Sequence, residues 1–255
     1  MRSITQGPSG HRVIALAIPA RVTPLLRRVG ALAGGLRMPA YAVGGCVRDW
    51  RLGLRRTSDL DVTVEGDGIA VAQAAARALG GTVTIHRQFG TATLVMPPRS
   101  AGGRRQAAGR IDFATCRREV YAKPAAYPTV SPGTLDDDLF RRDFTMNAMA
   151  VALLPQRFGM LVDPFQGAAS LRRRELRILH DRSFTDDPSR ILRGVRFAAR
   201  FGLHWERATA DALRAAVAAG ALGWLNAGRL RKELELMCEE PDPVACFRHL
   251  AELFS

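Results

Sequence analysis

The apolar pattern changes period once along this chain of 255 residues, and that change limits the folds open to it. Up to Asp163-Pro164, short alternating runs rich in Val and Thr recur: AYAV at 40–43, DLDVTVEG at 59–66, TVTIHR at 82–87, TATLVMP at 91–97 and RIDFATCR at 110–117. Successive side chains of a strand point to opposite faces, so such runs suit a sheet with one buried face. TVTIHR and TATLVMP read as a hairpin around Phe89-Gly90. Two segments of helical period interleave with the strands. Val22–Leu36 carries Leu25, Leu26, Val29 and Leu32 and ends at Gly34-Gly35, and Ile69–Gly80 is stopped by its glycine. Beyond Pro164 the strand signals cease and Arg, Leu and Ala dominate in helix-like runs. The pattern predicts an α+β head with a mixed β-sheet flanked by helices over 22–165, then an all-helical segment over 166–255. Residues 1–21, polar and bearing Gly and Pro at the start, are expected to be poorly ordered, and Tyr121–Asp138 to be a mobile loop.

Charge narrows the class. There are 37 Lys and Arg against 24 Asp and Glu, a net charge of +13, and only Lys123 and Lys232 are lysines. Such an excess favours a polyanionic partner, because neutralising phosphates releases counterions. Cys46, Cys116, Cys238 and Cys246 show no C-x-x-C spacing and no nearby pair of histidines, which argues against a zinc site and fits reduced thiols in a cytoplasmic chain. No apolar run approaches the roughly 18 residues needed to span a bilayer. VIALAIPA at 13–20 is short and is followed by Arg21, Arg27 and Arg28, poor support for a cleaved signal.

Three stretches could carry chemistry. In GGCVRD at 44–49, a glycine pair after a strand lets backbone amides approach a phosphate, with Arg48 adding positive charge, or it is simply a tight turn. Asp59 and Asp61 lie two apart in a strand and so share a face, as a pair that a divalent ion could bridge or as solvated charges. In RRDFTMNAMA at 141–150, Arg142, Asp143 and Asn147 precede and enter an apolar run read as a helix, where Asp143 could cap it or the cluster could hold a ribose and phosphate. In FTDDPSRILRGVRFAARFGL at 184–203, Asp187-Pro188 reads as a helix start. Arg190, Arg193, Arg196 and Arg200 then share an arc of about 120° opposite Ile191, Leu192 and Val195. With no acid after Asp187 on this helix, the row looks unpaired and calls for an anion.

These motifs, with DPFQGAASLRRRELRIL at 163–179, resemble in order and spacing the class II tRNA nucleotidyltransferase and bacterial poly(A) polymerase family of the polymerase beta superfamily, over roughly Tyr41 to Leu234. The resemblance implies a nucleotidyltransferase head followed by a helical neck. It implies Asp59 and Asp61 as metal-binding catalytic carboxylates for Mg²⁺, and Gly44, Gly45, Arg48, Arg193 and Arg196 as triphosphate contacts. Arg142, Asp143 and Asn147 would bind the ribose, and Asp187 and Arg190 the edge of the incoming base. Asp163–Gly167 matches the segment joining head to neck, and GRLRKELELM at 228–237 the neck helix supporting the base-reading helix. Asp112 is a candidate third carboxylate, and Asp186 stands where the family often has Glu. Family members usually continue into helical body and tail domains, which this chain, ending at Ser255, is expected largely to lack.

The activity so implied is template-independent addition of C, A or both to tRNA 3′ ends from CTP and ATP, the chemistry being mostly positioning and charge stabilisation. A poly(A) polymerase acting on other RNAs is the rival enzyme. A non-catalytic RNA-binding module is the rival of another class. No membrane is implied, and the sequence leaves the oligomeric state open.

Overall fold

The computed structural model describes residues 5–6, 12–13, 15–54, 59–97, 100–101, 104–105 and 109–254. Expectations for residues 1–4, 7–11 and 14 lie outside the described residues. At residues 15–16 the chain is tied down rather than loose: Ala15 bridges to Met160 and the Leu16 amide donates to the Gly159 carbonyl at 2.9 Å. The chain forms two compact units, one of residues 1–118, 132–140 and 147–164, the other of residues 119–131, 141–146 and 165–255.

The first unit is built on a seven-stranded sheet. Its strands are β1 (Ala40–Val43), β2 (Asp59–Val64), β3 (Thr82–His86), β4 (Thr91–Met96), β5 (Gly109–Thr115), β6 (Ala150–Ala152) and β7 (Leu161–Val162), in spatial order β7-β6-β1-β2-β5-β4-β3. Neighbours are antiparallel except β2 and β5, which run parallel. Leu60, Val62 and Val64 of β2 are buried, as are Ile111 and Phe113 of β5 and Ala92 and Leu94 of β4. Helices α1 (Thr23–Gly35) and α3 (Gly68–Leu79) pack on the sheet through Leu26, Val29, Val71 and Ala75. Burying a side chain of this size fully contributes about 1.5–3 kcal/mol, so the helix-covered face fixes the strand register. The intervening residues Asp61, Thr93, Arg110 and Asp112 are left on the other face. Two close approaches need glycine: a Cβ on Gly30 would lie 1.8 Å from the Leu153 carbonyl oxygen, and one on Gly68 would lie 2.7 Å from Ala114 C.

Two stretches differ from the sequence reading. The run entered by RRDFTMNAMA is not an α-helix: Thr145–Asn147 make one 3₁₀ turn and Ala150–Ala152 form an inner strand, buried on both faces. A short apolar run has no period to distinguish the two. Part of the stretch read as a loop is ordered, with a strand at Thr129–Pro132 and helix α4 at Leu135–Phe140.

The second unit is largely helical, with α5 (Gly167–Arg173), α6 (Ser183–Asp186), α7 (Ser189–Phe201), α8 (Arg207–Ala218), α9 (Ala227–Cys238) and α10 (Pro243–Ala251). Two short strands, Glu175–Leu176 and His204–Trp205, pair in parallel. Helix α7 is central and buried nearly all round, through Ile191, Leu192, Val195, Phe197 and Ala198. Phe144, Phe184 and Trp205 cluster beside it with its own Phe197, with ring centroids 6.1–6.5 Å apart in tilted and edge-on pairs. Gly194 lets them in, since a Cβ there would meet Trp205 Cη2 at 2.2 Å. Among the described residues no helix is long and apolar enough to cross a membrane.

Candidate active site

On the polar face of the first unit's sheet, strand register places Asp61 opposite Asp112 and Asp112 opposite Thr93, a row across β2, β5 and β4. Neighbouring strands lie about 4.8 Å apart, so the two carboxylates are adjacent. Asp61 is exposed. Asp112 accepts from Thr93 Oγ1 at 2.5 Å and from Arg110 Nε and Nη2 at 3.0 and 3.2 Å. Asp59 is in register with Arg110, and its side chain lies outside the described residues. Adjacent carboxylates repel unless a cation sits between them, and an all-oxygen donor set suits a hard ion. Asp61, with Asp59 two residues before it and Asp112 beside it, fits such an ion. Among the described residues alone, no three His, Cys, Asp or Glu converge.

The glycine pair ends β1 in the same unit. Gly44 adopts φ 71°, ψ −130°, a left-handed region that favours glycine, and Gly45 opens helix α2 (Gly45–Arg51), which the sequence reading took as a turn. Arg48 follows one turn later and is buried at 6% exposure. Its guanidinium donates through Nε to Asp49 Oδ1 at 2.9 Å and through Nη1 to Asn147 Oδ1 at 2.8 Å. A phosphate candidate and a ribose candidate, 99 residues apart in sequence, are thus brought together.

In the second unit the row of arginines on α7 is paired, contrary to the reading from its own helix. Arg190 is 3% exposed and donates through Nη1 to Ser183 Oγ at 2.8 Å and through Nη2 to the Arg141 carbonyl at 2.7 Å. Arg193 meets Asp143 Oδ2 at 2.7 Å. Arg196 contacts Glu240 at 3.1 Å and Glu233 at 3.7 Å, and Arg200 lies 3.5 Å from Glu240. The acids come from a preceding loop, from α9 and from the turn that follows it, so no i,i+4 rule applied to α7 could find them. Arg193 is crowded by neighbours yet keeps about a third of its side-chain surface, and the buried Asp143 carboxylate raises its pKa further. Arg196 is enclosed between two carboxylates, which makes it first a packing element. Arg142 is half-buried beside Asp143.

Asp187 precedes this helix and serves as its cap: Oδ1 accepts from the Ser189 amide at 3.1 Å and from Ser189 Oγ at 2.6 Å. The same oxygen accepts a hydrogen bond from Arg229 Nη2. Oδ2 faces Arg190 Nε at 4.0 Å. Asp186, in the place where Glu was expected, pairs with Arg182 at 3.1 Å. Sequence reasoning missed Arg229, Ser183 and Ser189. Arg229 left one signal, a cation in the first turn of a helix capped by Asn226, where the helix dipole disfavours positive charge.

The family described as "Poly A polymerase head domain" matches residues 40–177, more than half of the chain. The chain is a member of the tRNA nucleotidyltransferase and poly(A) polymerase family. It is similar to the A-adding tRNA nucleotidyltransferase of Halalkalibacterium halodurans, with 44% identity over 90% of this chain and 52% of that one. It is similar as well to the CC-adding tRNA nucleotidyltransferase of Deinococcus radiodurans, with 41% identity over 92% of this chain and 59% of that one. Among solved structures, a CCA-adding enzyme in an apo form superposes with a TM-score of 0.83 at 40% identity, over 92% of this chain and 53% of that one. The chain therefore spans about half the length of these relatives.

Proposed function

We propose that the chain is a template-independent nucleotidyltransferase that adds C, A or both to tRNA 3′ ends from CTP and ATP. The observation that carries this is the edge before α7. There a carboxylate with one oxygen anchored and one facing Arg190 stands beside a guanidinium held at two of its nitrogens. Such an edge accepts from an exocyclic amine and donates to a ring nitrogen, which cytosine and adenine offer and uracil and guanine do not. The likeness to A-adding and CC-adding tRNA enzymes supports the same reading.

In this reading Asp59 and Asp61 hold Mg²⁺, with Asp112 adding negative charge beside them. Bound there, the metal would supply charge neutralisation at the triphosphate and a more acidic RNA 3′-hydroxyl. The amides of Gly44 and Gly45 approach phosphate, Arg48 holds that turn and Asn147, and Arg193 gives fixed positive charge. Arg196 joins it only if its acids release it. Arg142, Asp143 and Asn147 select the ribose, with Asp143 also fixing Arg193. Residues 22–165 serve as the nucleotidyltransferase head and 166–255 as the neck, in a cytoplasmic enzyme.

An extension assay tests this. tRNA transcripts ending before CCA, after C and after CC are offered each nucleoside triphosphate singly with Mg²⁺, with Asp61→Ala as control. Addition of C and A alone, stopping at a defined length and lost in the variant, is expected. Long A tails on any RNA would indicate the poly(A) polymerase, and no incorporation at any RNA concentration a binding module.

A further inference from the structure

In the second unit two exposed aromatic side chains come to one place from distant parts of the chain. Tyr127 is 78% exposed and Trp224 is 41% exposed. Asn226 Nδ2 donates to the Tyr127 hydroxyl at 3.4 Å across 99 residues of sequence, and Trp224 lies only two residues before Asn226. A single exposed apolar ring is ordinary on a protein surface. Two at one site call for a partner.

Both rings are presented by constrained backbone. Tyr127 stands between Pro124 and Pro128, and a residue before proline is held extended. Ala125 takes φ 56°, a left-handed conformation that disfavours a residue with a Cβ and recurs where a loop has a task. Its amide donates to the Thr185 carbonyl of α6 at 3.0 Å, and the Ala126 amide donates to the Lys123 carbonyl at 3.2 Å. Asn226 is fixed in turn, because its Oδ1 accepts from the Arg229 amide at 2.9 Å as the cap of α9. The phenol is thus tethered at its hydroxyl while its ring stays in solvent. Trp224 closes the 3₁₀ turn Ala221–Trp224, which the buried Ala221 anchors. Rings held in this way lose little freedom when a ligand stacks on them.

Charge narrows the ligand. Lys123 in the same loop is exposed, as are Arg231, which pairs with Glu235, and Lys232 on α9. Aromatic faces beside cations suit an unpaired nucleobase on a phosphate backbone. Through Asn226 and Arg229 the two rings adjoin Asp187. We propose that Tyr127 and Trp224 form a stacking platform for an unpaired base at the 3′ end of the RNA that the chain extends. This rests on the RNA-extending function proposed above. Every base has a π-face, so the platform holds the RNA end whatever its sequence and leaves base identity to Asp187 and Arg190.

The test uses the 255-residue chain and a tRNA transcript ending after CC, beside the same transcript with abasic residues in place of both Cs. Trp50 is buried and Trp205 belongs to the ring cluster beside α7, so the emission lost in Trp224→Phe reports Trp224. The intact transcript is expected to quench that emission without turnover. The abasic transcript, ATP alone and CTP alone are expected to leave it unchanged, which separates a base of the RNA from the base of a free nucleotide. Tyr127→Ala is expected to raise KM for the transcript about tenfold, the scale of one stacked base, with kcat and the KM for ATP unchanged. Tyr127→Phe is expected to keep the original KM, since the ring and not the hydroxyl stacks. Equal quenching by the abasic transcript, quenching by ATP or CTP alone, or an unaltered transcript KM in Tyr127→Ala would each overturn the proposal. Quenching by the intact transcript with no nucleotide incorporated would leave the platform standing and remove the transferase reading, so the two failures are told apart. A circular dichroism melt checks that Trp224→Phe is folded, with Trp224→Tyr in its place otherwise.

Discussion

At the scale of single residues, burial separates side chains that hold structure from those able to meet a ligand. Asp61 is exposed on the sheet, so removing its charge should leave stability within about 0.5 kcal/mol, the range of ordinary surface substitutions. Asp61→Asn is expected to lower nucleotide addition by on the order of 10²–10³-fold or more, the scale for losing one group aimed at developing charge. Unchanged addition would remove Asp61 from the catalytic set. Asp137 makes a test by pH. Arg118 and Thr134 hydrogen-bond its carboxylate and bring its pKa down to about 2. Because the folded value lies below that of the unfolded chain, the associated stability is present above the ordinary carboxylate range and is lost as pH falls through about 2. A carbon-detected NMR titration should place this residue near 2, and an ordinary value would mean that the Arg118 contact does not form in solution.

At the scale of elements, legibility followed periodicity. The strands β2, β4 and β5 and helices α1 and α3 stand where alternation and 3.6-residue spacing put them, because each has one face in the core and one out; β3, at the sheet edge, alternates between half-buried and exposed positions. Helix α2 and strand β6 escaped for lack of such contrast, since Cys46, Val47, Arg48 and Trp50 are all buried and Ala150–Ala152 are apolar on both faces. For α7 the sequence showed the arginine row but not its partners. Asp143, Glu233 and Glu240 lie 50, 37 and 44 residues from the arginines they meet. The same helix yields a prediction in which two effects oppose. In an open helix Gly→Ala gains about 1 kcal/mol, but at Gly194 the new methyl would lie 2.2 Å from Trp205 and 2.9 Å from Phe144. Overpacking of that kind costs about 1–3 kcal/mol. With the gain set against the cost, Gly194→Ala should lower Tm by up to about 8 °C in a calorimetric melt, and a rise in Tm would mean that the rings are not seated against α7.

At the scale of the whole chain, the aspartates of β2 and the Asp187–Arg190 pair were legible as motifs, while the charge left for a polyanion was not legible from the total. Many arginines are spent internally: Arg48 on Asp49, Arg118 on Asp137, Arg141 on Glu119, Arg193 on Asp143 and Arg196 on Glu240. The net charge of +13 must then act through other side chains, and Arg172, Arg174 and Arg207 are exposed on the second unit. If six phosphates are neutralised, tRNA affinity should fall by about 10³-fold between 50 and 200 mM salt, through counterion release. Replacing Arg172 and Arg174 by alanine together should reduce the slope of log K against log salt by about 2 if each meets one phosphate. Filter binding across a salt series measures both. A slope unchanged by the double substitution would mean that neither arginine meets a phosphate.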